Sequence, residues 1–315
     1  MARPYRLQGE GLIYHITSRG DDRKRVFVSD YDFHKFLEYL IEAKDKYEFY
    51  VYAYCLMPNH YHLLLETTQP NLSRIMQQVN TAYTIYYNKK RDRCGHLFQG
   101  RYKSILVDAG IYFNELTRYI HLNPVKAKIV DSPDQYRWSS YNLYANDKSN
   151  DLIDIKRVKQ LLDMDIKHYR SFANAAQDNP FDPGKNVYAG FLLGCKDFIQ
   201  EQLDELAMQS ANKDFAYKRI ALNRANPDDI INAVAKHFKQ DPEELKTSNK
   251  RPMTAKKMAI YMMRTKTYLT NDQIGELFNM KFSAVSKAAV NFKRQMENDK
   301  ELAKAVEGIT SNVEV

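Results

Sequence analysis

The sequence predicts an α+β chain: a ferredoxin-like antiparallel sheet with helices, an all-helical connector, and then a compact helical domain. Three observations carry this reading. Residues 1–145 alternate strand-like and helix-like stretches in the order β-α-β-β-α-β, followed by one more helix. A polar break, N146-D-K-S-N-D-151, ends the alternation. From residue 226 onward only helical periodicity remains. The expected boundaries are therefore 1–145, 146–225 and 226–300, with a flexible tail over 301–315.

Taken in order, L12-I-Y-H-I-T-S-R-19 is strand-like and G20-D-D-R-23 is a polar turn. Over 30–44, Phe33, Phe36, Leu37, Leu40 and Ile41 share one helical face. Residues 50–57 are β-rich, Met57-Pro58-Asn59 makes a short hairpin turn, and 60–67 is the returning strand. Over 71–88, Leu72, Ile75, Met76 and Val79 form a helical stripe, and 102–107 reads as a further strand. The helix over 111–123 is expected to stop at Pro124, because the residue before proline avoids the α region. In this arrangement the helices cover one sheet face and leave the other free to hold a site.

In the connector, 155–162 and 188–208 have helical pattern, and N179-P-F-D-P-G-K-N-186 looks like a loop. The last domain opens with a helix from Pro227 to Phe238, reading PDDIINAVAKHF, proline first and acids in its first turn. A longer helix covers 254–264. T270-N-D-Q-273 reads as a capping box for a short helix through Phe278, and Ser283 is placed to cap the next one, 284–294. Two helices across a tight turn, the second rich in Ser and Lys, form a helix-turn-helix pattern. Residues 226–300 hold 14 Lys/Arg against 9 Asp/Glu, which suits a helical DNA-binding domain.

Composition narrows the function classes. A chain of 315 residues is long enough for two or more cored domains, and 44% hydrophobic content excludes a disordered chain. A formal net charge of +8 favours an anionic partner, nucleic acid ahead of an acidic membrane surface. No apolar run approaches the roughly 18 residues a membrane helix needs, and the N-terminus has no apolar core of a signal peptide. Cys55, Cys94 and Cys195 form no CxxC pair, which argues against a zinc ribbon and fits a reducing cytosol. No GxxxxGK[ST] stretch marks a P-loop nucleotidase.

The stretch Y54-C-L-M-P-N-H-Y-H-L-L-L-65 is the chemically informative one. In a strand, residues i and i+2 point to one face. His60 and His62 therefore project together, with Tyr61, Leu63 and Leu65 on the opposite side. Two imidazoles side by side can chelate one divalent metal. In T117-R-Y-I-H-L-N-P-V-K-A-K-128, Tyr119 and Asn123 are four apart and so share a helix face. A carboxamide oxygen can complete a site for a hard cation, and a phenol can act as a nucleophile. Tyr112, two turns earlier on nearly the same face, is a rival to Tyr119. His121 points away and is expected on the surface or against DNA.

M57-P-N-H-Y-H-L-L-64 resembles the HUH motif (His, hydrophobic residue, His) of the single-tyrosine transposases, and R118-Y-I-H-L-N-P-V-K-A-127 resembles their catalytic helix. H15-I-T-S-R-G-20, H96-L-F-Q-G-R-Y-K-S-104 and Y136-R-W-S-S-Y-141 are similar to the branch called REP-associated tyrosine transposases. The resemblance covers residues 5–142 and implies the HUH nuclease fold. It implies that His60, His62 and Asn123 bind the metal, Mg²⁺ or Mn²⁺, and that Tyr119 is the nucleophile. The implied reaction is cleavage and rejoining of single-stranded DNA next to hairpins, through a 5′-phosphotyrosine and a free 3′-hydroxyl. A retained covalent bond needs no ATP, in keeping with the missing P-loop. A phenol with an ordinary pKa near 10 must lose its proton during attack; water and substrate both stand open as acceptors. Tyr61 between the histidines is bulkier than the family's usual aliphatic residue and is expected to pack harmlessly.

Arg19, Arg23, Lys24, Arg25, Arg101, Tyr102 and Lys103 are the candidate DNA contacts around the site, charge for the backbone and aromatics for bases. I230-I-N-A-V-A-K-H-F-238, R251-P-M-T-A-K-K-M-A-I-Y-M-M-R-264 and Q273-I-G-E-L-F-N-M-K-F-S-A-V-S-K-A-288 resemble the DNA-binding domain of the replication initiator DnaA. That implies double-stranded DNA contacts by Ser283, Ser286 and Lys287 in a groove, and by Lys250, Arg251, Lys256 and Lys257 at phosphates. Where the initiator carries an Asp-His-Ser/Thr-Thr signature, this chain has Lys281-Phe282-Ser283-Ala284, so its target should not be a DnaA box. A bacterial, cytoplasmic and nucleoid-associated protein is expected, a monomer or homodimer with no membrane partner. The alternatives are a non-catalytic DNA-binding regulator that keeps the fold for hairpin recognition, and a small-molecule metallohydrolase. The latter lacks a catalytic carboxylate pair near His60.

Overall fold

The computed structural model describes residues 7–175, 181–209, 225–247, 253–267, 269 and 271–313. The chain divides into two compact units, one built from Pro4–Val187 with Phe191–Ile199, the other from Gln200–Val315 with Tyr188–Gly190. None of the helices among the described residues is long and apolar enough to cross a membrane.

The first unit follows the expected alternation: β1 (Leu12–Arg19), α1 (Asp30–Tyr47), β2 (Tyr50–Met57), β3 (His60–Thr67), α2 (Leu72–Lys90), β4 (Lys103–Val107) and α3 (Ala109–Lys126). β1 lies centrally and pairs antiparallel with β3 and β4, and β3 pairs antiparallel with β2. This is the ferredoxin-like strand order. Pro58 and Asn59 are the whole β2–β3 connection, so β3 begins at His60 with its register fixed by the turn. Arg19 sits opposite His60, and Thr17 opposite His62.

Helices α1 and α2 cover one face. The Phe36 ring lies 4.7 Å from that of Tyr61, whose hydroxyl donates to Asn80 Oδ1 at 2.7 Å. Tyr61 thus packs inward, as expected. The buried Asp32 carboxylate locks the two helices together through Lys90 at 3.0 Å and Arg91 at 2.5 Å. The other sheet face is not bare: α3 packs across it, with Phe113 5.4 Å from Tyr52 on β2. The reason lies in α3 itself, whose stripe of Phe113, Leu116 and Ile120 needs a sheet face, and α1 and α2 occupy the first. Pro124 does not end this helix, which runs on to Lys126. So close to the C-terminus proline removes little, and Ala127 N–H still reaches Asn123 O at 2.9 Å.

Much of the expected connector belongs to this unit. Three short helices, α4 (Tyr141–Ala145), α5 (Ile155–Leu161) and α6 (Tyr169–Asn174), follow α3. The chain leading into α4 covers the β2 edge: Leu56 N–H donates to Trp138 O at 2.9 Å and Ser140 N–H to Tyr54 O at 3.0 Å. His121 is fully buried here, its Nδ1 2.7 Å from Tyr169 Oη and its Nε2 2.7 Å from Ser140 Oγ. It is neither on the surface nor placed to touch DNA. After a helical turn, α7 (Pro183–Asn186), comes a fifth strand, β5 (Leu192–Leu193), parallel to β4. The sheet is therefore mixed, in the order β2-β3-β1-β4-β5, and the connector is not all helical. The helix expected over 188–208 is α8 (Lys196–Gln209), which starts only after β5; Ala189 and Gly190 before that strand take φ of 51° and 80°, outside any helix.

Burial pulls the His121 imidazole down to about 3. The unfolded chain can protonate this ring below about 6.5 while the folded chain cannot. Its contribution is therefore complete above the unfolded value and is lost as pH falls. Between pH 6.5 and 5 we expect the first unit to lose about 2 kcal/mol on this account alone. Trp138, the one tryptophan, stacks on Phe33 at 4.5 Å and reports unfolding of this unit by fluorescence. His121→Asn should flatten the pH slope; an unchanged slope contradicts the assignment.

The second unit holds α9 (Pro227–Phe238), α10 (Pro242–Thr247), α11 (Thr254–Lys266), α12 (Asn271–Phe278), α13 (Phe282–Asn298) and α14 (Lys300–Val313). Ile230, Val234, Met258, Met262, Ile274, Phe278, Val285 and Phe292 form its core. The expected tail over 301–315 is instead largely helix α14. Leu302, Val306, Ile309 and Val313 recur at helical spacing and pack on that core, Ile309 fully inside. Ser283 does not cap α13, which begins one residue earlier after Lys281, so Ser283 lies in the first turn. Thr270 of the expected capping box lies outside the described residues.

Gly275 makes the turn between α12 and α13 possible. A Cβ there would collide with the Met280 carbonyl oxygen, which is backbone and cannot step aside. Gly275→Ala should therefore destabilise this unit by about 1–3 kcal/mol, despite the roughly 1 kcal/mol that alanine gains in helix propensity. Amide exchange across α11–α13 measures it, and protection equal to wild type would contradict the close approach.

Candidate active site

A cavity of about 480 Å³ opens between α3 and the sheet face beneath it. Strand parity brings His15, Thr17 and Arg19 of β1, His60 and His62 of β3, and Lys103 of β4 to its wall. Tyr119 and Asn123, one helical turn apart on α3, form the facing side, and Asp182 of the segment before α7 closes one end. The Tyr119 ring meets His62 edge-on at 5.7 Å and His15 at 6.0 Å. The His60 and His62 rings are 5.0 Å apart. All four residues singled out for the chemistry therefore line one cavity of one chain. Tyr112 does not line it; its ring packs on Phe181 at 5.8 Å.

The hydrogen bonds fix much of the imidazole chemistry. His60 Nδ1 lies 2.7 Å from Asn59 Oδ1, an acceptor, so the proton sits on Nδ1 and Nε2 keeps its lone pair. His62 Nδ1 lies 3.0 Å from His15 Nε2, the two rings edge to edge and nearly coplanar with centres 5.2 Å apart. His62 Nε2 is buried without a hydrogen-bond partner. The Asn123 amide donates through Nδ2 to Tyr119 O at 2.8 Å, leaving its oxygen as the free acceptor. An orphaned imidazole nitrogen, a second with its lone pair fixed and a carboxamide oxygen match what a divalent cation takes. Among the described residues no three His, Cys, Asp or Glu stand together, so a three-donor set here would have to include the amide.

Electrostatics favour neutral imidazoles. Burial, then the nearby Arg19 charge, pulls His60 down to about 4. Burial holds His15 at about 4, and holds His62 well below its ordinary value with help from His15, His60 and Lys126. Burial, then Asp182, raises the Tyr119 phenol, with Asn123 opposing. Lys126 Nζ lies 4.6 Å from the Tyr119 ring centre and donates to Phe181 O at 3.2 Å.

The candidate DNA contacts divide. Arg19, Arg101 and Lys103 line the cavity and are exposed. Arg23, Lys24 and Arg25 are exposed on the loop after β1 but do not line it. Tyr102 is a correction: it is 6% exposed, with its hydroxyl 3.3 Å from Ser73 Oγ, and offers no open ring to a base. It has the parity of Leu106, on the face that α1 and α2 cover, whereas Lys103 has the parity of the site. In the second unit Ser283 and Lys287 are exposed, and Ser286 and Lys257 half-buried. Lys256 is corrected too: at 4% exposure it lies among the core residues, its Nζ 6.0 Å from the Phe278 ring, and burial lowers its pKa. Lys250 and Arg251 lie outside the described residues.

Sequence reasoning passed over His15 and Asp182. His15 was visible in principle, since it shares strand parity with Arg19. Asp182 follows Tyr119 by more than sixty residues, and nothing local marks it.

The family model described as Transposase IS200 like matches residues 9–123, and that described as Bacterial dnaA protein helix-turn-helix matches residues 227–290. The first unit thus carries an IS200-like transposase domain, and the second a DnaA-type helix-turn-helix domain. Among individual relatives, a Haemophilus influenzae protein named after the REP-associated tyrosine transposases is 27% identical over 145 residues, 42% of this chain and 81% of that protein. The chromosomal replication initiator protein DnaA of Campylobacter jejuni subsp. doylei is 33% identical over 89 residues, 27% of this chain. The chain spans only 20% of the length of that initiator. A solved REP-associated tyrosine transposase bound to a REP hairpin is similar at 16% identity and a TM-score of 0.42, over 53% of this chain and 94% of its own.

Proposed function

We propose that the first unit is a metal-dependent DNA transposase that cleaves and rejoins single-stranded DNA next to REP-like hairpins. The observation that carries this is the Tyr119 ring 5.7 Å from His62 across a cavity shared with His60 and Asn123. The match of residues 9–123 to a transposase family supports the class of reaction.

His60, His62 and Asn123 would hold Mg²⁺ or Mn²⁺. When bound, such an ion supplies Lewis-acid polarisation of the scissile phosphate. Tyr119 supplies the attacking oxygen: a phenolic O–P bond forms, the P–O3′ bond breaks, and a 5′-phosphotyrosine and a 3′-hydroxyl remain. The phenol's proton passes to water or substrate, and the leaving 3′ oxygen takes one up. Burial and Asp182 raise the Tyr119 phenol above its ordinary value, so it enters the reaction protonated. Arg19, Arg101 and Lys103 would track the phosphates entering the cavity. The covalent bond is reversible by attack of a 3′-hydroxyl, so the same residues rejoin strands.

In the second unit, Lys257, Ser283, Ser286 and Lys287 would contact double-stranded DNA of a sequence other than a DnaA box, tethering the transposase unit on the nucleoid. All the site residues of the first unit come from one chain, which supports a site acting within one copy, in a monomer or homodimer.

End labelling tests the reaction. A single-stranded hairpin oligonucleotide labelled at its 3′ end should leave its label on the protein in Mg²⁺ or Mn²⁺. One labelled at its 5′ end should release a fragment that a polymerase can extend. The opposite polarity contradicts the mechanism, and tight hairpin binding with no cleavage in either metal favours a DNA-binding regulator.

A further inference from the structure

The contact between His15 and His62 has no part in the reaction as drawn, yet it reaches the proposed ligand atom through one ring. The two nitrogens lie 3.0 Å apart, so a single proton sits between them. If His62 Nδ1 holds it, His62 Nε2 has the lone pair. If His15 Nε2 holds it, His62 carries its own proton on Nε2 and cannot ligate. The neighbouring histidine solves the same problem with an amide: Asn59 Oδ1 accepts from His60 Nδ1 at 2.7 Å. The outer ends of the pair, His15 Nδ1 and His62 Nε2, are both buried without hydrogen-bond partners.

We infer that His15 is a positioning residue for the metal site, the acceptor that keeps the His62 proton on Nδ1 and its Nε2 open to the ion. The inference rests on the proposed metal role of His62. Three observations carry it. The rings lie edge to edge and nearly coplanar, their centres 5.2 Å apart at an interplanar angle of 11°, which fixes the orientation of His62 as well as its tautomer. His15 is 3% exposed, so water does not compete for the contact. His15 stands on β1 diagonal to His62 on β3, whose direct partner is Thr17, so the central strand pair of the sheet holds the geometry. Acceptors of this kind typically change metal affinity by about 10–100-fold.

The test is Mn²⁺ affinity of the full chain, read by electron paramagnetic resonance without DNA. His15→Phe keeps an aromatic ring at this position and removes the acceptor; it should weaken binding by about 10–100-fold. His15→Gln restores an acceptor oxygen and should recover most of that loss. In Mg²⁺-loaded wild type, ¹⁵N spectra should place the His62 proton on Nδ1. Trp138 fluorescence checks folding, and if His15→Phe does not fold, His15→Leu against His15→Gln makes the same comparison. A folded His15→Phe or His15→Leu with wild-type affinity overturns the inference, as does a His15→Gln no better than either. A wild type that binds no Mn²⁺ overturns the metal reading itself, and this inference with it.

Discussion

Tyr119→Phe is expected to abolish the covalent protein–DNA adduct while leaving hairpin binding in place. The substitution removes one oxygen and keeps the ring, which touches His15 and His62 edge-on and lies under Lys126. The cavity wall and its charges therefore stay as they are, and only the nucleophile goes. Loss of a nucleophile that has no substitute costs at least about 10³-fold in cleavage. Tyr112, packed on Phe181 outside the cavity, has no route to replace it. Gel retardation of the hairpin gives the binding control. An adduct of undiminished yield in Tyr119→Phe would assign the nucleophile elsewhere.

His60→Ala should cost at least about 10²-fold in Mn²⁺ affinity, more than loss of an orienting neighbour costs, since it removes a donor atom itself. His60 is the better choice than His62 for this test. It is half-buried at the first position of β3, so its removal leaves little cavity. His62 is almost fully buried and bonded ring to ring with His15, and its loss would mix folding with binding. The pH profile adds a second check. With His60 near 4 and His62 held well below its ordinary value by burial, protons compete with the ion only well below neutrality. Mn²⁺ affinity should hold steady from pH 8 to 6 and fall as pH approaches about 4. A fall centred near 6.5 would mean exposed, unperturbed imidazoles.

How much of this was legible follows from the range of each interaction. Alternating patterns and a short hairpin turn placed β1 to β4, and strand parity put His60 and His62 on one face. Helical spacing did the same for Tyr119 and Asn123. What stayed hidden depends on contacts between distant segments. The register that sets Thr17 opposite His62 decides that His15 meets that ring, and no local pattern encodes a register. α3 covers the second sheet face because the first was taken, a fact of competition among elements. β5 forms from two leucines in a stretch whose composition reads as helix. Two errors were avoidable. Tyr102 shares parity with Leu106, and Lys256 lies between Ala255, Met258 and Ala259 on a face that could only be core.

The joining of two DNA-related domains in one chain gives the account its wider form, but its centre is a single bond. Mass spectrometry of nuclease-trimmed peptides from the protein incubated with hairpin DNA and Mn²⁺ measures that bond directly. The account predicts a nucleotide attached to the phenolic oxygen of Tyr119. Attachment at any other residue, or cleaved DNA with no attachment at all, would contradict it.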